Sequence, residues 1–148
     1  MAIVQTATTS FKVELPQGIH NFGPTSPDTF KIALYTAAAD LGYATTAYTT
    51  SGEVTGTGYT AGGNTLTIST SPTSGNNSLN IPTAFINFSN TSWTGATFTA
   101  RAALIYNVTE GNKSVAVLDF GSDKTVSNDT FQIIFPTADA NSAIVRIS

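Results

Sequence analysis

One histidine, His20, and no cysteine set the limits of what this chain could catalyse. General-base work by His20 would require a nucleophile beside it. There is no thiol to activate, and no serine sits in a nucleophile-elbow pattern. Its setting, Pro16-Gln17-Gly18-Ile19-His20-Asn21-Phe22, reads as a turn or packing histidine near Phe11, Phe22 and Phe30. The nine carboxylates stand at positions 14, 28, 40, 53, 110, 119, 123, 129 and 139. Asp119 is set apart because Leu118 and Phe120 flank it in a strand-like run, where a buried acid needs a partner. Arg101 in the preceding run is that partner, giving a structural Arg101–Asp119 pair. No second acid keeps a strand spacing from Asp119, as a glycoside hydrolase would require. Asp119, Asp123 and Asp129 with Ser122 and Asn128 could surround a hard cation, but their spacing is not that of a calcium loop. The glycine run at 52–58 has no phosphate-binding lysine and no strand-to-helix context. The residues therefore offer no catalytic group, no metal site and no cofactor. Tyr43, Tyr48, Tyr59 and Trp93 remain as rings that could stack on a sugar.

The elements that would carry these residues read as strands and turns. Residues 29–36 alternate, with Phe30, Ile32 and Leu34 on one face. Residues 64–70 and 83–88 form shorter runs, separated by the turn-like 71–77. The longest run, 96–107, places Ala96, Phe98, Ala100, Ala102, Leu104 and Tyr106 on one face. A hairpin turn at 108–113 leads to a strand over 114–120. A turn region at 121–128 follows, then strands over 130–135 and 143–147. Residues 37–41 could make a single helical turn. This pattern predicts an all-β fold, an antiparallel two-sheet sandwich of jelly-roll type. Phe30, Ile32, Leu34, Phe98, Leu104, Leu118, Phe131 and Ile133 are its expected core. Residues 1–10 read as an N-terminal arm carrying Ile3 and Val4, and residues 11–148 as one β domain.

Composition narrows the function classes. Only 10% of the 148 residues are charged, six of them Lys or Arg, and the net charge is -3, which argues against a nucleic-acid binder. No stretch is long and apolar enough to predict a membrane span, and the first ten residues do not read as a signal peptide. Polarity comes instead from 26 Thr, 14 Ser and 11 Asn. Threonine favours strands and keeps a surface wettable without charge. Such a surface suits a protein packed beside copies of itself or against a large partner. The glycine-rich connection 42–63, with Tyr43, Tyr48 and Tyr59, is long for a loop and suited to contact.

The runs FKIALYT at 30–36 and TAYTTSGEVTGTGYTAGG at 46–63 carry a resemblance, as do RAALIYN at 101–107 and AVLDFGS at 116–122. Together they resemble a set of small structural proteins of tailed-bacteriophage virions, over most of the chain from residue 11. The resemblance implies a non-enzymatic protein, first of all a capsid cement or decoration protein on the outer surface of an icosahedral head. Its partner would be the major capsid protein, and it would be a homo-oligomer, a dimer or a trimer. Ile3, Val4, Tyr35, Tyr43, Tyr48, Tyr59 and Trp93 are the expected partner-binding residues. A tail, neck or fibre-attachment component and a carbohydrate-binding module stay open as alternatives.

Overall fold

The computed structural model describes residues 2–148; Met1, the first residue of the expected arm, lies outside the described residues. The chain forms a sandwich of two antiparallel sheets. Strands β1 (Thr6–Ala7), β2 (Phe30–Tyr35), β3 (Asn64–Leu66), β6 (Thr91–Asn107) and β7 (Lys113–Ile133) make the larger sheet, in the order β1-β7-β6-β2-β3. Strands β4 (Ile68–Asn76), β5 (Pro82–Phe88) and β8 (Val145–Ile147) make the smaller one, in the order β4-β5-β8. The long β6–β7 hairpin is the spine of the fold.

The main core lies between the sheets. Phe30, Ile32 and Leu34 enter it from β2 and Ile86 and Phe88 from β5, with Phe98 and Ile133 from the spine. Phe22 and Phe30 stack with ring centres 4.4 Å apart. Six of the eight expected core residues are buried, whereas Leu118 and Phe131 are only half-buried.

A second, smaller core sits on the opposite face of the larger sheet. Ala33 and Tyr35 of β2, Ala102, Leu104 and Tyr106 of β6, and Val117 of β7 meet Ala39 and Leu41 there. Unlike β2, which serves both cores by simple alternation, β6 also changes phase along its length. It does so opposite Arg101: Ala100 pairs with Lys124 but Ala102 pairs with Asp119, so residues 120–123 bulge out of the ladder. Ala96, Phe98 and Ala100 face the main core before this point, and Ala103 and Ile105 face it after. The single face expected over 96–106 is therefore split between two cores.

Two expected turns are strand. Residues 121–128 belong to an uninterrupted β7, and 71–76 belong to β4. Pro72 is accepted because β4 is an edge strand, where a missing N–H leaves no ladder bond unmade. The expected helical turn at 37–41 is a non-helical turn, and the one helix among the described residues lies elsewhere. It is α1 (Thr9–Glu14), capped by the Thr8 hydroxyl, which accepts from the Phe11 N–H at 3.4 Å. Residues 3–8, expected as an arm, lie on this chain's own body. Ile3 bridges Leu41, and β1 pairs with β7 through Thr6–Val117 and Ala7–Ala116.

Candidate contact surface

The outer face of the larger sheet divides into a covered half and a bare half. Residues 36–53 cover the first, folded over the second core, and one buried acid fastens them to Tyr59 and Gly62. Glu53 Oε1 accepts from the Tyr59 hydroxyl at 2.7 Å and from the Gly62 N–H at 2.6 Å, while Oε2 accepts from the Tyr48 hydroxyl at 2.7 Å. Tyr59 Oη also accepts from the Leu34 N–H at 2.9 Å. Tyr106 donates to the Gly62 carbonyl at 2.8 Å, and its ring stacks on Tyr48 with centres 4.8 Å apart. Tyr35 donates to the Thr49 carbonyl at 2.7 Å. Burial, and then the Glu53 carboxylate, push the Tyr48 and Tyr59 hydroxyls well above the usual phenol range. Tyr35 is raised too, chiefly by burial, and Tyr106 is pushed up to about 12 by burial and by the charge of Glu53. Gly63, at a φ of 70°, lies so close to the Ile32 carbonyl that no side chain fits.

Beyond this loop the same face is bare, and uncharged as far as Arg101. Thr57 pairs with Thr97, and Thr97 with Ser127. Thr99 pairs with Thr125, their hydroxyls 2.8 Å apart, and the antiparallel register brings Thr55 alongside Thr99. Two rows of hydroxyls result, Thr57–Thr97–Ser127 and Thr55–Thr99–Thr125, across β7, β6 and the segment 55–57 bridged to β6. Gly56 permits this close approach, since a Cβ there would lie 2.5 Å from the Thr97 carbonyl oxygen. The Thr97 hydroxyl accepts from the N–H of Asn128, the bulged residue between Ser127 and Asp129, at 2.9 Å.

The rows end at Arg101, whose Nε lies 3.2 Å from Asp119 Oδ1 and whose Nη1 lies 3.9 Å from Asp123. Asp119 is held below the usual carboxylate range, first by the Gly121 N–H at 2.9 Å and then by Arg101. Among the described residues, no group of three or more His, Asp or Glu is placed to hold a metal ion.

His20 belongs to a different, internal network. Its Nε2 lies 2.7 Å from Glu14 Oε2, and Lys113 donates to Glu14 Oε1 at 3.0 Å. The Asn107 amide donates to His20 Nδ1 at 3.0 Å and to Asp28 at 2.8 Å. That donation puts the imidazole proton on Nε2, facing Glu14. Burial opposes charge on Glu14, but the hydrogen bonds from His20 and Lys113 prevail and hold its carboxyl below the usual range. Both imidazole nitrogens are engaged, so the network fastens α1 and residues 15–28 to the hairpin end and leaves no nitrogen to a reacting group.

The expected contact residues separate into three groups. Tyr35 and Trp93 are buried and are corrected to core positions. Tyr48 and Tyr59 are half-buried and spend their hydroxyls on Glu53, and Ile3 is half-buried against the second core. Val4 and Tyr43 are open, 48% and 66% exposed. No ring platform for a sugar assembles from Tyr43, Tyr48, Tyr59 and Trp93, because these residues lie on different faces and in the core.

Sequence reasoning passed over Glu53 and the hydroxyl rows. Both had a signal: a lone acid between two tyrosines in a glycine-rich run, and Thr-x-Thr or Thr-x-Ser at 55–57, 97–99 and 125–127. No protein-family model, curated protein or solved structure matches this chain.

Proposed function

We propose that this is a non-enzymatic structural protein of a tailed-phage virion, a cement or decoration protein that binds the outer surface of the head and stabilises it. Its partner is then the major capsid protein, and it acts as a dimer or trimer in many copies. The sandwich is read as jelly-roll-like on the same grounds. The observation that carries the reading is the bare half-face, six hydroxyl residues on β6, β7 and the segment 55–57 bridged to β6, with no charge among them. Contact through such a face forms hydrogen bonds without burying an ion, so desolvation opposes it little. Repetition over a symmetric shell makes a large total from a weak contact, and linkage raises the stability of the bound shell. The sequence resemblance points the same way.

The test is a thermal release assay on particles lacking the protein, with purified protein added back. Rebinding in hundreds of copies and a raised release temperature are expected, and Thr97→Ala with Thr99→Ala should reduce both. Failure to rebind, or occupancy at a single vertex only, overturns the cement reading; single-vertex occupancy favours the neck or tail.

A further inference from the structure

Residues 2–8 form a strap whose seat is held almost wholly by backbone bonds. The Leu41 N–H donates to the Ala2 carbonyl at 3.0 Å, and the Val4 N–H to the Leu41 carbonyl at 2.9 Å. The Thr8 N–H donates to the Val115 carbonyl at 3.0 Å, and the Asp119 N–H to the Gln5 side chain at 3.2 Å. Between these lies the two-residue pairing of β1 with β7. Side chains add little: Ile3 and Ala7 each touch a core, Gln5 contributes the one bond to Asp119, and Val4 is exposed. The character changes at Thr8, which is fully buried, caps α1 and accepts from the Ser114 hydroxyl at 2.9 Å. The strap is thus a lightly held extended segment on a fixed root.

We propose that the strap is exchanged between copies, residues 2–7 of one chain taking the seat on β7 and Leu41 of a neighbour. The fit of the occupant is already on display, because the same segment fills the seat within one chain. Exchange keeps the contacts of residues 2–7, leaves Thr8 in its own chain and changes only the direction in which the strap leaves it, so local concentration decides between the two arrangements. Val4 and Tyr43 stand beside the seat and supply the apolar area that a neighbouring body would cover. The inference rests on the multi-copy reading above, where copies sit close together.

Ala7 and Ala116 lie directly opposite in β1 and β7. The adjacent Thr8–Val115 pair carries the hydrogen bond, so this pair is of the close kind, with Cα atoms about 4.5 Å apart and within disulfide reach. The chain has no cysteine to interfere. Ala7→Cys and Ala116→Cys are prepared as separate proteins, mixed at high concentration and oxidised, beside the double variant at low and high concentration. Exchange gives a covalent heterodimer from the mixture, and a covalent dimer from the double variant that replaces the closed monomer as concentration rises. Closure within one chain at every concentration, with no heterodimer, overturns the proposal. A second measurement is sedimentation of the protein lacking residues 2–7. Lost self-association is expected, and self-association equal to the intact chain overturns exchange. Both measurements use free protein, so their failure leaves the particle assay, and the cement reading it tests, untouched.

Discussion

The covered and bare halves of the larger sheet's outer face are built from the same two strands but by opposite means. Over the covered half, β6 contributes Ala102, Leu104 and Tyr106, and a single carboxylate holds the loop down through two phenols and a backbone N–H. Over the bare half the same strand contributes Thr97 and Thr99, and no ionisable group enters the hydroxyl rows. Charge is used in the covered half where it can be satisfied internally, and on the bare half it is confined to the Arg101–Asp119–Asp123 cluster where the rows end. A buried acid with three donors fixes one geometry, because any other arrangement strands it. Neutral hydroxyls can donate or accept, and so accommodate more than one facing surface.

The difference predicts a graded set of responses. Glu53→Ala should have the largest effect, leaving the Tyr48 and Tyr59 hydroxyls and the Gly62 N–H without their acceptor. A loss of about 3–5 kcal/mol is expected in denaturant unfolding. Glu53→Ala with a midpoint equal to the parent's would show that the loop is held by packing alone.

Alkali should attack the covered half next. Phenols raised above their ordinary value of 10.0 keep their protons when folded and release them when unfolded. Stability is therefore whole below about pH 10 and falls above it, by about 1.4 kcal/mol per pH unit for each such phenol. In an absorbance titration Tyr35, Tyr48, Tyr59 and Tyr106 should ionise together with unfolding. Smooth ionisation of all five tyrosines in a chain that stays folded would contradict the packing described.

Acid acts on the hairpin end instead. Glu14 is held below its ordinary range, so its contribution is present above that range and is lost as the pH falls through the lowered value. Glu14→Gln should be less stable near neutrality and should show a flatter acid limb. An acid limb as steep as the parent's would place the sensitivity in other carboxylates. The bare half should respond least: Thr99→Val with Thr125→Val is expected to shift stability by no more than about 0.5 kcal/mol. A larger loss would mean that the 2.8 Å hydroxyl contact is a structural bond of the spine rather than part of an open surface.

Legibility followed how local each cause was. Phe30, Ile32 and Leu34 could be read because one strand with one buried face keeps a strict period of two. Leu104 could be read as buried, but the inward face of Ala103 and Ile105 could not, because the irregularity at Arg101 reverses the phase and has no signature in residue type. Residues 121–124 have a turn's composition, and a bulge asks for the same residues as a turn, so β7 was read as two strands. The helix α1 is six residues long and depends on contacts with β7 and on its Thr8 cap, so periodicity could not reveal it. Arg101 and Asp119 were legible as partners because the hairpin brings them together at short range. Glu53 was not, because its three donors arrive from positions 48, 59 and 62 only once the loop has folded back on itself.

The bulge opposite Arg101 has a mechanical side as well. Ladder bonds resist bending most where they are continuous, and here the ladder of a 17-residue strand is broken near its middle. The spine therefore behaves as two stiff plates joined at a compliant seam. One plate is held on both faces, by the main core and by the loop over the second core, and the other on its inner face alone. Load on the bare plate therefore meets the seam before it reaches the second core, and the doubly held plate keeps its packing.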